Sequence, residues 1–161
     1  MKLNFDGASR GNPGRSGLGA IIRNDVGEVV HAISGLVGVA TNNVVEISML
    51  EVGLRWCASN GVVKLIIEGD SQVILNGVIK FIFQNWQLQS WIPRINLLLN
   101  SLGDYHIQHM FREGNKAADY LENMGIEDDF AREFGRDDMM PIGLKEIISL
   151  DLFSIPKSGI G

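Results

Sequence analysis

Four acids stand where a carboxylate could do chemistry: Asp6, Glu46, Asp70 and Asp119, with His109 as a companion imidazole. Three of them also have ordinary structural uses. Asp beside glycine forms turns, as Asp6-Gly7 would. Asn43 and Glu46 have the spacing of a capping box, and an acid such as Asp119 is favoured in a helix first turn by the exposed amides there. Gathered in one pocket, however, carboxylates repel, and some keep their protons unless a divalent cation neutralises them. Hard oxygen donors with few imidazoles favour Mg²⁺ or Mn²⁺ over Zn²⁺. Whether the four meet depends on the elements that carry them.

Leu3 and Phe5 alternate as a strand requires, and the Gly/Ser/Asn/Pro-rich run after Asp6 reads as a wide turn. Asp6 is then expected where the first strand runs out. Residues 17–25 and 28–38 read as two further strands joined by Asn24-Asp25-Val26-Gly27, completing an antiparallel meander. From Asn43 to about Ser59, Val45, Met49, Val52 and Trp56 fall on one face of a helix whose start holds Glu46. Val62 to Ile67 suits a central strand buried on both faces, ending at Glu68-Gly69-Asp70. Open α/β sheets place their ligands at such strand ends.

Ser71-Gln72 can cap a short helix through about Lys80. Residues 81–89 read as a loop whose Phe81, Phe83 and Trp86 suit core packing better than a base-stacking platform. A helix is expected at about 90–102 with Pro93 in its first turn, then a strand at 105–111 and a helix at about 116–124. The result is an α/β fold with a five-stranded mixed sheet, first strand central. In such a sheet the four acids can meet above one edge.

At 161 residues there is room for one domain with a real core, placed at 1–124. Residues 125–161 read as an extension, acidic at Glu127-Asp128-Asp129 and Asp137-Asp138, with a short amphipathic helix marked by Leu144, Ile147 and Ile148. It is expected to dock on the domain or to engage a partner or a second subunit. Hydrophobic residues at 45% and charged residues at 20% argue for a folded globular chain. The single cysteine, Cys57, excludes a disulfide framework and points to a reducing compartment. Neither a membrane-spanning apolar run nor a signal-peptide stretch occurs, so a cytoplasmic, nuclear or (after loss of a transit peptide) organellar home is expected. Net charge of −5 counts against a large basic surface for nucleic acid. Arg10, Arg15, Arg23, Arg112 and Lys116 could still form a local basic rim, or simply keep the surface soluble.

The sequence resembles the ribonuclease H family, and especially its plant-type ribonuclease H-like domains, many of which derive from retroelements. Asp6 begins a DGxxxGNPGxxGxG stretch similar to that family's first strand. Thr41 to Glu46 is similar to its TNNxxE helix start, Glu68 to Gln72 to its third acidic motif, and HMFREGNKAAD (109–119) to its closing His-x9-Asp motif. The likeness covers residues 1 to about 124, with four motifs in the right order and spacing. The LDLFSIP stretch is similar to the C-terminal ends of plant members.

This resemblance implies a ribonuclease H-like sheet of order 3-2-1-4-5 flanked by helices. It implies hydrolysis of the RNA strand of an RNA–DNA hybrid, leaving 5′-phosphate and 3′-hydroxyl ends. Two Mg²⁺ (or Mn²⁺) ions about 4 Å apart would be held by the four acids. By this analogy Asp6 bridges both ions, Glu46 and Asp70 hold one, Asp119 holds the other, and His109 shuttles a proton or helps release product. Asn12, Thr41, Asn42, Asn43 and Gln72 match positions that family members use to contact the hybrid, through 2′-hydroxyls, base edges and a DNA phosphate.

Two departures stand out. Ala8 occupies a place where many members carry serine, and Lys80 is the only basic residue in 76–90, so the basic handle of some bacterial members is missing. Modest, salt-sensitive hybrid affinity is expected. The competing reading is a non-catalytic nucleic-acid-binding or assembly module on the same fold. A 3′–5′ exonuclease would need Asp-x-Glu on the first strand, where Ala8 stands instead.

Overall fold

The computed structural model describes residues 1–154, so Ile155 and Pro156 of the LDLFSIP stretch lie outside the described residues. Six strands form one sheet: β1 (Lys2–Arg10), β2 (Gly14–Arg23), β3 (Val29–Ala40), β4 (Lys64–Gly69), β5 (Asp104–His109) and β6 (Arg132–Gly135). Their order is β5-β4-β1-β2-β3-β6. The expected order 3-2-1-4-5 is thus present, with a sixth strand added beyond β3. The helices are α1 (Asn42–Ser59), α2 (Gln72–Lys80), α3 (Trp86–Gln89), α4 (Ile92–Ser101), α5 (Lys116–Asp128) and α6 (Ile142–Ser154). None among the described residues is long and apolar enough to cross a membrane.

The first strand does not end at Asp6. Gly7 to Arg10 continue it, pairing with Leu18 to Arg15 of β2, and the turn shrinks to Gly11-Asn12-Pro13. Glycine and serine are weak strand formers, but a complete antiparallel ladder supplies their backbone partners and overrides that preference. Asp6 therefore sits in the middle of the central strand, opposite Gly19.

Leu3 and Phe5 of β1, Leu65 and Ile67 of β4 and the helices α1, α2 and α4 build the larger core. The cap of α1 is Thr41, whose hydroxyl accepts from the Val44 amide at 3.4 Å, and not the expected Asn43. Nor does α1 bury one stripe alone: Ile47, Leu50, Leu54 and Cys57 are buried with Val45 and Met49, while Val52 and Trp56 are half-buried. The helix is wedged between the sheet and its neighbours, which leaves it little polar face.

β4 is buried along the face of Leu65 and Ile67, whereas on the other face Lys64 and Ile66 are exposed and only Glu68 is buried. The α5 helix covers the other face over β1, β2 and β3 but does not reach that far. Within the expected loop at 81–89, α3 forms one turn. Phe83 is buried against Gly77, whereas Phe81 and Trp86 are exposed, so core packing accounts for one aromatic of the three.

Helix α5 runs on to Asp128, past the expected end near residue 124. β6 then pairs with β3 from His31↔Gly135 to Ser34↔Arg132. Phe134 and Leu144 join Ile21, Ala32, Ala117 and Leu121 in a second apolar cluster, with Ile147 and Ile148 packed against it. An Arg23–Asp151 ion pair at 2.9 Å ties α6 to β2.

Candidate active site

The four acids arrive from four elements. Asp6 lies mid-β1, Glu46 on α1, Asp70 just past β4 and Asp119 in the first turn of α5. Carboxylate oxygens of Asp6, Glu46 and Asp70 lie within 4.8 Å of one another. A second triad, Asp6, Asp119 and Glu122, meets the same limit. Asp6 belongs to both. Glu122 was not among the acids singled out from sequence, although it lies three residues beyond Asp119 and hence on the same helix face.

Two close approaches of backbone make this possible. At Gly7 a side chain would collide with Val45 and the Glu46 amide, so the start of α1 can lie directly against β1. On the other face, α5 rests on a bed of glycines. Side chains at Gly17 and Gly19 of β2 would strike the backbone of α5 at Ala118 and Glu122, and one at Gly125 would strike Gly35 of β3. Ser34 Oγ donates to the Leu121 carbonyl at 2.7 Å, and Asn115 Nδ2 donates to the Phe5 carbonyl at 3.0 Å. These contacts fix α5 along the strand that carries Asp6.

Burial shapes the charge of the cluster. The Asp6 carboxyl is pushed up to about 6, first by desolvation and then by the charges of Asp70 and Asp119, against hydrogen bonds from Glu46 and the Gly7 amide. Glu46 is raised well above the usual carboxylate range, by burial and then by Asp6 and Asp70. Glu122 is pushed up to about 8 by burial, Asp6 and Asp119, partly eased by Arg10 and Arg112.

Other buried acids of the chain are balanced. Glu51 is ion-paired to Arg55 and, at 3.4 Å, to Arg94. Glu68 meets Lys2 at 3.2 Å, Asn4 at 2.8 Å and Gln108 at 2.5 Å. No basic side chain forms an ion pair with Asp6, Glu46 or Glu122 among the described residues, and the buried Glu46 Oε2 has no hydrogen-bond partner. An oxygen-only donor set around an orphaned buried carboxylate oxygen fits a hard divalent cation.

His109, at the end of β5, places Nε2 3.1 Å from the Asp70 carbonyl oxygen. A carbonyl only accepts, so Nε2 carries the hydrogen of this bond and Nδ1 stays outside it. Of the polar candidates, Asn12 accepts from the Asn42 amide at 3.1 Å and Asn42 accepts from the Ser9 amide at 2.7 Å. Together with Thr41 they lock the β1–β2 turn to the start of α1. Asn43 is exposed and lines a groove of 460 Å³ with Val73, Asn76 and Asn85; Gln72 is exposed at the start of α2, two residues after Asp70.

Only part of the expected basic rim is at hand. Arg10 pairs with Glu127 at 3.7 Å and Arg15 with Asp129 at 3.0 Å, while Arg23 lies at the opposite end of β2. A cavity of 540 Å³ opens at that opposite end, between Met1, Lys64 and Tyr105, and includes none of the clustered acids.

A family profile described as reverse transcriptase-like matches residues 4–125. The chain belongs to this ribonuclease H-like family. The domain is 34% identical over 127 residues to ribonuclease HI of Halobacterium salinarum, covering 77% of this chain and 63% of that one. It is 27% identical over 151 residues to an Arabidopsis thaliana protein provisionally named a ribonuclease H protein, covering 94% of this chain but 24% of the relative. The chain thus spans less than two thirds of either curated relative. Among solved structures, ribonuclease H1 of Halobacterium salinarum superposes with a TM-score of 0.75 at 32% identity, over 79% of this chain and 97% of that one. LC11 ribonuclease H1, solved in complex with an RNA/DNA hybrid, gives 0.73 at 26% identity over 80% and 97%. The ribonuclease H-like domain therefore shares its fold with nucleases.

Proposed function

We propose that this domain is a metal-dependent endonuclease that hydrolyses the RNA strand of RNA–DNA hybrids. The observation that carries the reading is the convergence of Asp6, Glu46, Asp70 and Asp119 from four separate elements, with Asp6 common to two oxygen triads. The kinship with ribonucleases H, one of them solved with a hybrid, supports the substrate class.

Glu46 and Asp70 would hold one Mg²⁺ or Mn²⁺, Asp119 the other, and Asp6 both. When bound, such a pair activates the attacking water and stabilises the leaving 3′ oxygen. The chain's own groups do the rest. Gly7 and the α1 backbone hold Asp6 and Glu46 in place before substrate arrives, so no reorganisation is needed on binding. His109 takes up or delivers a proton at Nδ1, its other nitrogen being engaged with the Asp70 carbonyl. Asn12, Thr41, Asn42, Asn43 and Gln72 face the hybrid, where neutral donors and acceptors read 2′-hydroxyls and groove shape with little preference for sequence.

Purified protein with Mg²⁺ or Mn²⁺ is expected to cut the RNA of a hybrid and spare duplex DNA, and Asp70→Asn to abolish cutting. Absence of cleavage with both metals across a range of salt, with hybrid binding retained, would instead establish a non-catalytic binding module.

A further inference from the structure

The fifth acid, Glu122, has no role in the reading above. It is 3% exposed, and its carboxylate forms no ion pair among the described residues. An isolated buried carboxylate is costly to fold around unless something balances it. In this chain Glu51 and Glu68 show the ordinary solution, a basic side chain within ion-pair distance. Glu122 has two acids for neighbours instead, with oxygens of Asp6 and Asp119 within 4.8 Å.

Its placement is constrained from below. The turn of α5 that carries Glu122 is pressed onto Gly17 and Gly19, and Gly19 is the β2 partner of Asp6. The carboxylate is thereby delivered beside Asp6, in the triad that does not contain Glu46; the Glu46 Oε2 is itself buried and unpartnered.

We propose that Glu122 is a fifth metal-ligating carboxylate, completing with Asp6 and Asp119 the site of the second divalent cation. This rests on the two-ion reading of the site and extends it. Without Glu122 the second cation would have only Asp119 and a share of Asp6 as carboxylate ligands. With it, each ion has three. The charge count also changes: five carboxylates exceed two divalent cations by one negative charge, and Arg10 and Arg112 stand close enough to Glu122 to offset it.

Mn²⁺ binding to the whole protein, measured by calorimetry and by the loss of the free-ion paramagnetic resonance signal, tests the assignment without reference to cleavage. Wild-type protein is expected to take up two ions. Glu122→Gln, which keeps the shape and removes the charge, should weaken one of the two binding events roughly tenfold or more. Asp70→Asn should weaken the other and leave the Glu122-dependent one in place. A Glu122→Gln protein that is folded by circular dichroism and binds Mn²⁺ like wild type overturns the proposal, while loss of binding in Asp70→Asn would keep the two-ion reading alive. Failure of wild type to bind any Mn²⁺ overturns both. Should Glu122→Gln fail to fold, Glu122→Ala in the same titration decides between the same outcomes.

Discussion

A carboxyl group taken out of water and set among others holds its proton longer, and three residues here do so: Asp6, Glu46 and Glu122. Their folded values lie above the ordinary 3.8 of aspartic and 4.5 of glutamic acid, so the folded chain binds more protons than the unfolded one. The stabilisation from those protons is complete below about pH 4. It is lost as pH rises through about 6 for Asp6 and about 8 for Glu122. The melting temperature of metal-free protein in a chelator should therefore fall between pH 5 and 9, and saturating Mg²⁺ should flatten or reverse that fall. A chelated sample whose melting temperature is constant or rises over this range would contradict the charge arrangement. From sequence, Asp6, Glu46, Asp70 and Asp119 were legible through their motifs. Glu122 was not, because a glutamate inside a helix is usually solvated and only the packing of α5 takes this one out of water.

The elements explain why that packing is so close. Gly17 and Gly19 fall in the strand expected at residues 17–25, and nothing in their local sequence says that a helix will lie on them. Their use is tertiary: the α5 backbone occupies the space where side chains would be. Gly19→Ala should cost about 1–3 kcal/mol in denaturant unfolding through overpacking, and should also weaken Mn²⁺ binding by lifting Asp119 and Glu122 from Asp6. Unchanged stability and affinity would mean that α5 has slack the structure does not show. The continuation of β1 through Gly7 to Arg10 escaped sequence reading for a related reason. Local propensity spoke for a loop, and the partner strand β2 outweighed it.

Across the whole molecule, residues beyond α5 extend the same sheet. β6 is four residues long, too short to show an alternating pattern; it pairs with β3, and its Phe134 packs into the second apolar cluster. Leu144, fully buried there, anchors α6. Leu144→Ala should destabilise the fold by about 2–5 kcal/mol while leaving Mn²⁺ affinity of the folded protein intact. Urea unfolding followed beside a metal titration checks both halves.

Asp6 is held in the middle of the central strand, with β2 paired along its whole length and β4 alongside its first half. A carboxylate on a loop can loosen while the rest of a protein stays intact; this one has no such freedom. Heat loss of the proposed cleavage and cooperative melting should accordingly trace one curve, since displacing Asp6 would require breaking the sheet itself.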